Sequence, residues 1–199
     1  MNIITSSVVM KSEPIETSTL ETECLFGETV EILDKHFDWV HCKLETDNYC
    51  GWIKKKGLGK SKNPTHRVIV SRSFIYINNN SRSNSLLYLP MGAKILVENI
   101  RFDWAEISFN YNNEIQIGYV PAKHIVKLDH QLKDWVEVAQ LLEDTPYKWG
   151  GRDTIGLDCS ALLQLSYQTY GENIPRNTSQ QIQLKKSVKF FCNQPFLET

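Results

Sequence analysis

The chain has 199 residues and a formal charge of −1 at pH 7, with 22 Lys and Arg against 23 Asp and Glu. That length holds one or two ordinary domains or three small ones, and a charge so near zero gives no electrostatic footprint for nucleic acid or an anionic membrane. The cysteines, Cys24, Cys42, Cys50, Cys159 and Cys192, are odd in number and lack a C-x-x-C pair, which argues against a disulfide framework and against a zinc site or other metal cofactor.

The N-terminus, MNIITSSVVMKSEP, lacks the basic start and long apolar core of an export signal. No apolar run approaches the ~20 residues of a membrane span, so a cytoplasmic protein with no membrane partner is expected. From Gly27 the chain reads GETVEILDKHFDWVHCKLETDNYCGWIKKKGL, and from Gly92 it reads GAKILVENIRFDWAEISFNYNNEIQIGYVPAKHI. Phe37-Asp38-Trp39 aligns with Phe102-Asp103-Trp104, and Gly51-Trp52-Ile53 with Gly118-Tyr119-Val120. Short alternating runs broken by Asp, Asn and Gly predict antiparallel strands joined by hairpins in each copy. Cys24, Cys42 and Cys50 are then small hydrophobic residues of a β core.

The order of a G-x-x-V strand, a W-x-x-V strand and a G-[WY]-[VI] strand resembles bacterial SH3 domains, over Ser7–Leu58 and again over Thr65–Val126. The resemblance implies two small β-barrels, with Trp39, Trp52, Trp104 and Tyr119 mostly packed inside them. Between the copies, the Lys-, Gly- and Pro-rich stretch from Lys54 to Pro64 reads as a solvated linker, and NNNSRSNS, from Asn78 to Ser85, as a long loop. Past Val126 the period changes: Trp135, Val138, Ala139 and Leu142 fall at helical spacing behind a cap at Asp134 or Asp129.

The most informative stretch is TPYKWGGRDTIGLDCS, from Thr145 to Ser160, with ALLQLSYQTYG behind it. Gly150, Gly151 and Gly156 free the backbone for a tight turn, while Tyr147 and Trp149 supply rigid aromatic surface. Leu162, Leu165 and Thr169 share one helical face and Leu163, Tyr167 and Tyr170 another, so the helix is expected to be covered on two sides and to stop at Gly171. Cys159 falls in its first turn, where unpaired N–H groups and the macrodipole favour a thiolate. The adjacent Asp158 opposes that charge, so activation calls for a cationic partner, most naturally His.

PYKWGG, GLDCSALLQ and IPRNTSQQ, over Pro146 to Gln180, resemble the NlpC/P60 cysteine peptidases, whose pattern is roughly P-Y-x-W-G-G, G-x-D-C-S-G-L-V-Q and L-P-R followed by Gln. The resemblance implies that Cys159 is the nucleophile, that Asp158 and Ser160 hold the free amino end of a short peptide, and that Tyr147, near the sulfur, and Trp149 line the substrate site. Ala161 stands where the family has Gly. The fold it implies is α+β: SH3-like barrels over 1–60 and 61–128, then the helical front of a papain-like domain over 129–199.

In the family pattern a Gly-Asp turn and a sheet bearing the catalytic His and a third polar residue come next, whereas no His follows Cys159 in these residues. One imidazole normally serves both to activate the thiol and to protonate the leaving amine, a contribution of about a hundred to ten thousand fold. The expectation is therefore a C-terminally truncated peptidase for γ-D-glutamyl-diamino acid bonds in short murein peptides, nearly inert alone. Without the sheet, Leu162, Leu163, Leu165, Phe190, Phe191, Phe196 and Leu197 are expected to leave an apolar surface open. Two other readings stand beside it: a wall-peptide binding module carrying a relic peptidase segment, and the front half of a split enzyme completed by a downstream fragment.

Overall fold

The computed structural model describes residues 1–130 and 134–184, and they are mostly β with few helices. The first copy forms β1 (Asn2–Ile3), β2 (Ser7–Lys11), β3 (Leu20–Leu25), β4 (Val30–His36), β5 (Trp39–Leu44), β6 (Cys50–Lys54) and β7 (Leu58–Gly59). The second forms β8 (His66–Val68), β9 (Arg72–Tyr76), β10 (Ser85–Pro90), β11 (Lys94–Arg101), β12 (Trp104–Tyr111), β13 (Glu114–Pro121) and β14 (Ile125–Lys127). Then come α1 (Trp135–Gln140), β15 (Arg152–Asp153), β16 (Gly156–Leu157), α2 (Cys159–Tyr170) and α3 (Thr178–Gln181). The stretch expected to be a plain linker is partly built in, since β7 pairs with β1.

The repeat is physical. The β4–β5 and β11–β12 hairpins both turn through Phe-Asp, both hold the Phe at φ 52°, and both carry a register irregularity at the same place, Ile32/Asp34 and Val97/Asn99. Strands β3-β2-β6-β5-β4 make one sheet and β10-β9-β13-β12-β11-β8-β14 the other. Among the described residues the end strands of neither sheet pair with each other, so no closed barrel forms.

The aromatics expected inside lie on the other side of the pleat, where Trp39 is still buried and Trp52, Trp104 and Tyr119 are half-buried. Inward positions go to Val40, Cys42, Leu44 and Ile53 in the first unit, and to Ala105, Ile107, Phe109 and Val120 in the second. Side chains alternate across a strand, so Trp39, His41 and Trp52 share the outward face of β5 and β6. Trp52 stacks on His41 at 5.0 Å, Trp39 is covered by Lys54, and Trp104 meets Tyr76 edge-on at 5.6 Å. Cys24 and Cys42 are buried as expected; Cys50, on the outward face of β6, is exposed.

The two units interlock. Phe26, just past β3, packs in the second unit's core, its carbonyl accepts from Lys94 N at 2.9 Å, and Ser6 Oγ donates to the Tyr88 carbonyl at 2.7 Å. Where they meet, Leu25 and Met91 form a third core with Val138, Leu142, Leu157, Ala161 and Leu165. This corrects the expectation of an open apolar helix for Leu162 and Leu165: Leu165 is fully buried and Leu162 packs against the same cluster, because the β units and α1 cover that face of α2, while Leu163 is half-buried outside the cluster. Burying a Leu is worth about 1.5–3 kcal/mol, so this docking anchors the helix. Phe190, Phe191, Cys192, Phe196 and Leu197 lie outside the described residues. Asp134 caps α1 by accepting from Val136 N at 2.8 Å, and among the described residues no helix is long and apolar enough to cross a membrane.

Candidate active site

The segment before α2 folds back on itself. Pro146–Lys148 runs beside Leu157, with Leu157 N donating to Pro146 O at 3.0 Å and Lys148 N to Leu157 O at 3.1 Å. Gly150 turns at φ 71°, and a Cβ on Gly151 would stand 2.2 Å from the Gly156 carbonyl, so side chains are excluded at both positions. The turn leans on the edge strand β3: Glu23 N donates to Gly150 O at 2.9 Å, and the Trp149 indole N–H donates to Leu20 O at 3.0 Å.

Asp158 is the N-cap of α2 and the hub of the site. Its Oδ1 accepts from Ala161 N at 2.8 Å, from the Ser160 hydroxyl at 3.1 Å and from Arg176 Nη1 at 2.9 Å, while Oδ2 accepts from Gly150 N at 3.0 Å and from Arg176 Nη2. Burial works to raise this carboxyl, but the Arg176 guanidinium, helped by the cap and hydroxyl bonds, outweighs burial and holds it below the usual carboxylate range. Ser160 is also buried, and its Oγ accepts from Arg176 at 2.6 Å. Cys159, between these two, is exposed at the first position of the helix. Tyr147 and Trp149 stand 66% and 65% exposed, enough open aromatic surface beside the turn to meet a ligand.

The five residues singled out from the sequence thus fall in one short turn and helix start. What pattern reading did not supply is the support behind them. Arg176 lies inside IPRNTSQQ but had no role there; it ties Asp158 to Thr22 Oγ1 of β3 at 2.8 Å. Tyr49 donates its hydroxyl to Glu21 at 2.9 Å, and burial together with that carboxylate pushes the phenol up to about 12. Arg152 is fully buried and forks onto Glu28 with two 3.0 Å bonds. Burial works to raise Glu28 and the guanidinium overrides it, leaving the carboxyl lowered. An Arg in a Gly-rich aromatic turn was the one visible signal for this pair.

Chemically, an exposed thiol sits at a helix N-terminus, where the macrodipole favours negative charge, although the Ala161 amide of that first turn is already taken by Asp158. Among the described residues no hydrogen bond joins Cys159 to a histidine; His66 bonds Thr65 and His124 bonds Ser73. Nor, among them, do three or more His, Cys, Asp or Glu side chains gather as metal ligands would.

Residues 144–195 match the NlpC/P60 family, and residues 12–58 match the bacterial dipeptidyl-peptidase SH3 domain. Among curated relatives, the chain is 27% identical over 182 residues to a gamma-D-glutamyl-L-lysine dipeptidyl-peptidase of Bacillus subtilis, covering 86% of this chain and 60% of the relative. It is 25% identical over 191 residues to the enzyme of that name from Bacillus cereus, covering 81% and 54%. The chain thus spans little more than half the length of these relatives. A crystal structure of an NlpC/P60 family protein from Bacillus cereus superposes with a TM-score of 0.78 at 18% identity, covering 90% of this chain and 75% of that one, which establishes a shared fold. Motif and matched segments together show an NlpC/P60 segment over residues 144–195, with an SH3 segment of the bacterial dipeptidyl-peptidase kind ahead of it over residues 12–58.

Proposed function

We propose that the chain is part of a cysteine peptidase that hydrolyses γ-D-glutamyl-diamino acid bonds in short murein peptides, with Cys159 as nucleophile. The observation that carries this is the exposed Cys159 at the start of a helix whose inner face is locked in a core. The relatives' printed activity on a γ-D-glutamyl-L-lysine bond supports the substrate class. Asp158 and Ser160, both buried and already bonded to Arg176, are assigned to the free amino end of the peptide by the family pattern, and Tyr147 and Trp149 flank it. In this reading residues 1–60 and 61–128 are two SH3-type units, and residues 129–199 belong to the peptidase unit.

All five His of these 199 residues precede Cys159. We therefore assign the imidazole that activates the thiol and protonates the leaving amine to polypeptide other than residues 1–199. Incubation with L-Ala-γ-D-Glu-diaminopimelate should leave the peptide intact with this chain alone. Cleavage should appear when a histidine-bearing peptidase segment is supplied, and disappear in Cys159→Ala. Cleavage by the mixture that survives Cys159→Ala overturns the assignment.

A second reading draws on the outward face of the second sheet, where Phe74, Tyr76 and Trp104 form a contiguous aromatic surface. If the chain is a wall-peptide binding module, peptide binding will survive Cys159→Ala and be lost in Trp104→Ala.

A further inference from the structure

We propose that Glu28 and Tyr88, one from each β unit, are positioning residues for Cys159, acting through the neighbouring residues Arg152 and Asp153 of β15. The inference rests on reading Cys159 as the reactive thiol.

The hairpin β15–β16 is the last structure before α2. Asp158 N donates to Gly151 O, Leu157 packs with Ala161 and Leu165, and Asp158 caps the helix that starts at Cys159. Any tilt of the hairpin therefore moves the thiol. The two residues of β15 are gripped from opposite sides. On one side, Arg152 is held by both carboxylate oxygens of Glu28 at 3.0 Å and by Glu23 O at 3.0 Å, while its backbone N–H donates to Glu23 Oε2 at 3.0 Å. On the other side, Asp153, 2% exposed, accepts from the Tyr88 hydroxyl at 2.7 Å. Arg72 lies 3.7 Å from the same carboxylate and donates to Thr154 Oγ1 at 2.6 Å.

Net stability does not explain this construction. A buried ion pair roughly cancels its Coulomb gain against desolvation, and an apolar pair of similar volume often serves folding as well or better. What an apolar pair lacks is direction: a bidentate guanidinium–carboxylate fork fixes both register and angle. Such a fork on one residue of β15 and a short phenol–carboxylate bond on the next leave the hairpin one orientation. The SH3-type units are then part of the machinery that aims the thiol, which agrees with their interlocking through Phe26 and Ser6.

The test uses the full chain and reads iodoacetamide alkylation at each cysteine by mass spectrometry, with the exposed Cys50 as internal reference. The double variant Glu28→Leu/Arg152→Met removes the fork without leaving a lone charge, and Tyr88→Phe removes one hydroxyl. In both, the melting temperature is expected to stay within a few degrees of the parent, while the Cys159 rate falls at least threefold and the Cys50 rate holds. A purely structural pair would leave the Cys159 rate unchanged in any variant that melts like the parent, and that result overturns the inference. Should the double variant not fold, Tyr88→Phe alone decides. A parent in which iodoacetamide does not modify Cys159 at all overturns the reading of Cys159 as an accessible thiol, and this inference with it. A reactive Cys159 indifferent to the variants overturns the inference alone.

Discussion

Asp158 joins the Gly-rich turn, the helix cap and Arg176 in one carboxylate, and Glu28 does the same for β3 and Arg152. Both carboxyls are held below their ordinary range. A lowered folded value contributes stability in full above the unfolded range of about 4, and that stability is lost as pH falls through the folded value. Urea midpoints should therefore hold from pH 7 to about 4 and then drop, and Asp158→Asn should flatten the acid limb. Cutting the fork on one side is costlier than removing it whole: Arg152→Ala should destabilise by about 3–5 kcal/mol in urea unfolding, since it strands a buried carboxylate. Phe102 points the other way. It is 97% exposed and sits at φ 52°, a conformation costing a bulky L-residue about 1–2 kcal/mol, so Phe102→Asn should raise stability by about 1 kcal/mol. Cys159, Asp158 and Ser160 were legible because local motif residues sit next to one another in sequence. Glu28 was not, because nothing in the sequence says that a glutamate 124 positions earlier faces Arg152.

At the level of elements, helix α2 shows where pattern and packing part. Its periodicity identified Leu162, Leu165 and Thr169 as one face and Gly171 as the stop, and the helix ends at Gly171 with Leu165 and Thr169 buried. The same sequence gave no means of knowing that Leu25 and Met91 would cover that face, since such a contact depends on how the two β units meet. Leu165→Ala should cost about 2–5 kcal/mol, measured by urea unfolding, and should loosen the start of α2 with the core. The hairpins teach a related point. Strand order and the repeated Phe-Asp-Trp were readable, but whether Trp faces in or out turns on a single residue of register, and small inward residues such as Ala105 and Cys42 took the core.

Across the whole molecule, the three cores are tied together by successive residues, with Cys24 in the first unit's core just ahead of Leu25 and Phe26, so the candidate site is built by all parts of the chain. Leu25 belongs to the site's core while its neighbour Phe26 belongs to the second unit's. In the proposed function, a thiol mounted on such a frame meets a peptide that approaches over Tyr147 and Trp149. The most direct measurement is mass-spectrometric labelling with a halomethyl ketone of L-Ala-γ-D-Glu. One adduct on Cys159, suppressed by free L-Ala-γ-D-Glu and absent from Cys50, which is also exposed, is the predicted result. Equal labelling of Cys50 and Cys159, or labelling of Cys159 that free peptide does not suppress, would contradict it.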